Sequence, residues 1–237
     1  MSKKETTHKL IYDNTFNKSR FNLITTAQKS ILFAILTEVQ NANDVRSPDG
    51  YLFANVTYRR IREITGAKNL ASKDIIRMVN ELLNTKIEYY MYDSAGDLHI
   101  VIENIFNVAS INMKTKDVYI ELSRKMEQKL AVGNNSFTIV DVRELSLINS
   151  HYGQELYRLL SQFKATGKLM IGINQWRHHF DIENKYSDYY IIRKQIIPAV
   201  EKNQPYFEDL EVNVKEGDTK LPSTLVFTFK PTKRNEK

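Results

Sequence analysis

Cysteine is missing from this 237-residue chain, which excludes a disulfide framework, a thiolate zinc site and a cysteine nucleophile together. Such a chain suits a reducing cytoplasm. Long apolar runs are missing as well. The longest, Ile31-Leu32-Phe33-Ala34-Ile35-Leu36, falls far short of the roughly 18–20 residues a membrane span needs. The opening from Met1 to Lys9 is polar and lacks the apolar stretch of a secretion signal, so neither export nor membrane insertion is expected. Glycine and proline are scarce, at 8 and 5 residues, while 42% of the chain is hydrophobic and 26% charged. That balance belongs to an ordered globular protein rather than a disordered or fibrous one. With so few glycines there is no phosphate loop of the form G-x-x-x-x-G-K-[ST] and no dinucleotide fingerprint. Histidine offers no metal spacing either. His178 and His179 are adjacent, and neighbours on a helix point about 100° apart, which argues against the paired histidines of a metal-dependent nickase. Glu208-Asp209-Leu210-Glu211 reads as solvated acid. No catalytic residue, metal site or cofactor is expected.

What is present is basic charge in particular places. The net charge is only +6, a mild excess. Between Thr57 and Arg77, however, Arg59, Arg60, Arg62, Lys68, Lys73 and Arg77 face only Glu63 and Asp74, a run that attracts phosphates. The hydrophobic period places a helix from Thr25 to Gln40, a turn from Asn41 to Gly50 and a short strand from Tyr51 to Val56. Thr57 then caps a short basic helix that stops at Gly66. Ser72 to Thr85 is amphipathic, with Ile75, Ile76, Val79, Leu82 and Leu83 inward and Lys73, Arg77, Asn80 and Asn84 outward. Runs at Ile87–Tyr92 and Leu98–Val108 flank a turn at Gly96 and read as a hairpin; Val118–Leu122 adds a strand and Ser123–Leu130 a helix.

The same order recurs. A long helix spans Arg143 to Thr166, a strand Lys168 to Ile173, and Asn174 caps a short helix in which Trp176 pins the element to the core. Ser187 caps a helix through Lys202, with Tyr189, Ile192, Ile196 and Ala199 inward and Tyr190, Arg193 and Lys194 outward. Inside that helix Pro198 removes a backbone donor and predicts a kink. Runs at Tyr206–Val214 and Leu225–Phe229 flank a closing turn. Thr57 and Asn174 are 117 residues apart, and Ser72 and Ser187 are 115 apart. The expectation is an α+β fold of two tandem winged helix-turn-helix domains related by internal duplication, residues 1–132 and 133–237, meeting around Gly133-Asn134-Asn135. A helix fits the major groove, about 12 Å wide, and a wing reaches the backbone or minor groove. Double-stranded DNA is thus the expected ligand. The candidate contacts are Arg59, Arg60, Lys73, Arg77 and Asn80 in the first half, and Asn174, Arg177, Tyr186, Ser187, Tyr190, Arg193 and Lys194 in the second.

Several segments also resemble a known family, the plasmid replication initiators that bind iterons. Asn22-Leu23-Ile24 followed by Thr25-Thr26-Ala27-Gln28-Lys29 looks like the family's opening. Ser150-His151-Tyr152-Gly153-Gln154-Glu155-Leu156-Tyr157-Arg158-Leu159-Leu160 and Gly167-Lys168 are similar to its later helix and strand entry, Tyr186-Ser187-Asp188-Tyr189 with Ile197-Pro198-Ala199-Val200-Glu201-Lys202-Asn203 to its recognition helix, and Val226-Phe227-Thr228-Phe229 to its closing strand. The chain departs from the pattern at Asp181-Ile182-Glu183, where members often have leucine-glycine. The resemblance implies monomers that bind direct repeats at an origin, open the duplex and recruit host helicase and initiator proteins in a bacterial cytoplasm. It also implies a homodimer, in equilibrium with the monomer, that binds an inverted-repeat operator and represses its own gene, contributing to plasmid copy control. By the same resemblance the second domain carries base readout through Tyr190, Arg193 and Lys194, while the first holds phosphates through Arg59, Lys73 and Arg77 and hosts the dimer contact. A transcription regulator with tandem winged helices and no replication role is the alternative.

Overall fold

Described in the computed structural model are residues 8–21, 24–131, 136–180, 182, 189–215 and 222–232. The chain divides into two compact units, residues 1–147 and 148–237.

In the first unit, strands β1 (Lys9–Asp13) and β2 (Arg20–Phe21) precede helix α1 (Thr26–Asn41). Thr25 caps that helix with a capping box: its side chain accepts from Gln28 N, and Gln28 Oε1 accepts from Thr25 N. The apolar run Ile31–Leu36 is fully buried, making α1 the unit's central helix. Strand β3 (Phe53–Thr57) leads into α2 (Tyr58–Thr65) and α3 (Ser72–Leu83). Then come β4 (Lys86–Tyr92), β5 (Leu98–Asn104), β6 (Phe106–Asn112), β7 (Asp117–Leu122), α4 (Arg124–Leu130), β8 (Phe137–Asp141) and α5 (Val142–Leu147). All strands pair antiparallel, in the orders β2-β4-β5, β3-β7-β6 and β1-β8.

Two expectations are corrected in this unit. The division falls after Leu147 and not at 132/133, because Phe137–Asp141 pairs residue for residue with Lys9–Asp13 and Val142 and Leu145 are buried in this core. A strand's partner is set by long-range pairing, which local composition does not encode. The run Leu98–Val108 is two strands rather than one: it breaks at the buried Ile105, and its halves join different sheets. The strand neighbouring β3 therefore comes from the β6-β7 hairpin, while β4-β5 is an additional hairpin paired with β2.

The second unit contains α6 (His151–Gln162), β9 (Lys168–Gly172), α7 (Ile173–His179), α8 (Tyr189–Asn203), β10 (Glu211–Lys215) and β11 (Thr224–Thr228), with strand order β10-β11-β9. Each unit thus has a sheet in which the strand entering the short helix pairs with the last strand of a later hairpin. The long helix expected over Arg143–Thr166 is interrupted at 148–150, where Ser150 caps α6 by accepting from Gly153 N. Pro198 lies inside α8, which continues to Asn203.

Candidate nucleic-acid interface

In the first unit, α2 is set by its ends. Thr57 Oγ1 accepts from Arg60 N at 3.1 Å, and Gly66 closes the helix at φ +70°, a left-handed conformation glycine adopts without a Cβ penalty. Helix α3 buries Ile75, Met78, Val79 and Leu82, so Lys73, Arg77 and Asn80 fall on its exposed side. Arg77 bonds Glu81 at 3.2 Å and lies 3.7 Å from Asp74, with its side chain 59% exposed. Exposed pairs of this kind are worth about 0–1 kcal/mol, so a phosphate can displace them. Arg59 is 88% exposed and bonds Glu63 at 2.8 Å, which holds the Glu63 carboxyl below its usual range. Arg60 differs from the other candidates. Its Nε lies 3.0 Å from Glu38 of α1 with both side chains about 15% exposed, so it ties α2 to α1 instead of facing outward.

The β6-β7 hairpin holds a basic turn that sequence reasoning missed. Asn112 Oδ1 accepts from Lys114 N and Thr115 N, both at 3.0 Å, and the carbonyl of Lys116, a residue at φ +57°, accepts from Tyr58 N at the start of α2. The exposed Lys114 and Lys116 therefore sit at the N-terminal end of α2. The available signal was the turn chemistry of Asn112-Met113-Lys114-Thr115-Lys116, which lies outside the hairpin read around Gly96.

The second unit likewise has a short helix, α7, followed by a longer one, α8. Trp176 is fully buried against Phe180 and Phe227, as expected of an anchor for α7. Helix α7 is also held to α6 through Glu155, which bonds buried Arg158 at 2.6 Å and His179 at 3.2 Å. The N-cap of α7 is Gly172, so Asn174 is no cap but an exposed residue of the first turn, and Arg177 is half-buried. In α8 the inward residues are Ile192, Ile196 and Ala199, each at most 1% exposed. Tyr190, Arg193 and Lys194 are exposed, and Lys194 Nζ lies 4.6 Å from the centre of the Tyr190 ring. Tyr186 and Ser187 lie outside the described residues.

Each unit therefore presents one helix, α3 or α8, with an apolar face buried and cations outward, the arrangement that lets side chains reach phosphates and base edges in a groove. Among the described residues, no cluster of three or more His, Asp or Glu is placed to hold a metal, and no helix is long and apolar enough to cross a membrane.

Comparison with known proteins places these features. Residues 9–161 match the family model described as initiator replication protein, WH1. Among solved structures, the chain is similar to the Pi initiator protein in complex with iteron DNA, at 16% identity and TM-score 0.60, covering 95% of this chain and 98% of that one. It is also similar to domains 2 and 3 of RctB, at 10% identity and TM-score 0.49 over 89% and 85% of the two chains. A third similar structure is the WH1 domain of a replication protein isolated from a multiple sclerosis patient, at 15% identity and TM-score 0.31, covering 47% of this chain and 88% of that one. No curated protein matches the chain significantly.

Proposed function

Since the chain belongs to the initiator replication protein family, whose WH1 model matches residues 9–161, we propose that it initiates plasmid replication by binding direct repeats in double-stranded origin DNA. Two tandem winged-helix domains, related by internal duplication, do the binding. The observation that supports this most is the exposed Tyr190 and Lys194 on α8, opposite fully buried Ile192 and Ile196, with exposed Arg193 on the flank between. In this reading the helix carries base readout, for which an Arg bidentate to guanine discriminates by about 1–3 kcal/mol. Lys73, Arg77 and Asn80 on α3, with Arg59 and the wing lysines Lys114 and Lys116, hold phosphates. These orient the protein and carry little sequence information.

Bound monomers help open the duplex and recruit host helicase and initiator proteins. A homodimer in equilibrium with the monomer binds an inverted-repeat operator, whose symmetry matches that of a two-fold dimer. The dimer contact belongs to the first unit. On the edge strand β5, Leu98, Ile100 and Ile102 are 53%, 58% and 55% exposed, and in register beside them Tyr90 is 37% exposed. An apolar edge of this kind is a liability in a monomer and a ready pairing surface for a second copy.

The test is footprinting on the DNA that flanks the gene, together with replication of a plasmid carrying the gene and that DNA. Protection of direct repeats, and replication that depends on them, is the expected result. Protection of an inverted repeat alone, with no replication, would make the protein a tandem winged-helix transcription regulator.

A further inference from the structure

At the turn between α2 and α3 lies a cavity of about 550 Å³ lined by Arg59, Arg62, Glu63, Gly66, Lys68 and Arg143. Four cations surround a single carboxylate. Two of the guanidiniums are held in place by groups that leave their charge intact. Arg62 donates from Nε to the Leu70 carbonyl at 2.7 Å and from Nη2 to Ser72 Oγ at 3.1 Å. Arg143, which comes from α5, donates from Nη2 to the Glu63 carbonyl at 3.2 Å and to His8 Nε2 at 3.0 Å. Burial, and then Arg143 itself, push the His8 imidazole toward its neutral form, so it accepts from Arg143 without adding a charge. Gly66 forms part of the wall, where an added Cβ would lie 3.8 Å from Arg143 Cγ.

Guanidiniums held by hydrogen bonds on separate elements around an open cavity suit a tetrahedral oxyanion, which several N–H donors can share. We propose that this cavity is a phosphate site in which Arg62, Lys68 and Arg143 take one phosphate group, supplied by the backbone of the bound duplex or by a free phosphorylated compound. The proposal extends the DNA-binding reading above and adds a contact from α5, outside the helix-turn-helix. The backbone is the source expected, since Arg59 and Lys73 on either side of the turn are candidate phosphate contacts.

The experiment measures affinity of the full chain against salt, on repeat and random duplexes, for wild type, Lys68→Gln, Arg143→Gln, Arg143→Lys and the exposed Lys125→Gln as a charge control. Removing one phosphate-binding cation should make the slope of log affinity against log salt shallower by about 0.9, so that raising salt from 50 to 200 mM costs about 3.5-fold less affinity than in wild type. Lys68→Gln and Arg143→Gln should show this equally on both duplexes, while Arg143→Lys and Lys125→Gln keep the wild-type slope. Thermal melting with inorganic pyrophosphate at low ionic strength forms the second arm. Stabilisation of wild type that is absent from both Gln variants, with slopes unchanged, would assign the site to a free phosphorylated compound. Unchanged slopes with no pyrophosphate effect would overturn the phosphate site and leave the DNA-binding reading standing. Failure of wild type to bind duplex would instead overturn that reading, and the pyrophosphate arm would then decide the cavity by itself.

Discussion

Gly153 lies in the first turn of α6, where alanine ordinarily stabilises a helix by about 1 kcal/mol over glycine. A Cβ there would sit 2.6 Å from Ile148 Cγ2 and 3.3 Å from Ser150 Cβ, and overpacking costs roughly 1–3 kcal/mol. Gly153→Ala is therefore expected to lower the midpoint of chemical unfolding; a raised midpoint would mean that Ile148 gives way freely. On α8, Arg193→Ala or Lys194→Ala should cost about 1–3 kcal/mol on the cognate repeat and much less on random duplex. Ile196→Asp should unfold the domain by burying an unpaired charge. Titrations on both duplexes at one salt concentration separate readout from simple phosphate contact, for which the two decreases in affinity would be equal. A third residue-scale expectation concerns acid stability. Glu121 is buried and its pKa is lowered, first by the hydrogen bond from Tyr119 and also by that from Asn107. The unfolded carboxyl binds protons more readily than the folded one, so this contribution is present above the usual glutamate value and lost as pH falls through the lowered one. Tyr119→Phe should shrink the acid-side fall in stability, as followed by unfolding at a series of pH values.

At the level of elements, the two hairpins of the first unit have different surfaces and different expected roles. The β4-β5 hairpin is fastened on one side, where Tyr89 donates to Glu103 at 2.8 Å and Lys129 Nζ lies 4.1 Å from the ring. Burial and that bond push the Tyr89 phenol up to about 12. Its other side leaves Ile100 and Ile102 exposed, so Ile100→Lys with Ile102→Lys should leave the thermal midpoint nearly unchanged while shifting sedimentation toward the monomer. An unshifted monomer–dimer balance would move the contact elsewhere. The β6-β7 hairpin carries the wing lysines, and Lys114→Ala with Lys116→Ala should weaken repeat and random DNA alike, with no change in the dimer.

For the molecule as a whole, the decisive contact is the pairing of β1 with β8. A fragment ending at 132 would lack the partner of Lys9–Asp13 together with buried Val140, Val142 and Leu145, whereas one ending at 147 keeps them. The longer fragment should give a cooperative melt and the shorter one should not; equal melts would show that β8 and α5 are dispensable. If two domains together meet six to ten phosphates, log affinity should fall with log salt at a slope of roughly −5 to −9, and a salt-insensitive affinity would contradict two-domain binding.

Local chemistry determined most of the helices and much of their outward faces. Thr25 and Thr57 are caps because their hydroxyls reach backbone donors three residues on, Gly66 ends a helix because it tolerates positive φ, and a period of 3.6 residues turns Tyr190 and Lys194 away from Ile192 and leaves Arg193 on the flank. These effects operate within a few residues of the chain, so they can be read from it directly. The family was legible too, because its motifs are contiguous. Tertiary structure decided the rest. Which hairpin lies beside β3, where the first unit ends, why Arg60 turns to Glu38, and the meeting of Arg143 with Arg62 and Lys68 all depend on residues far apart in sequence. Such contacts form only once the chain has closed long loops, and the entropy of that closure is offset by burial of the whole core rather than by any local signal.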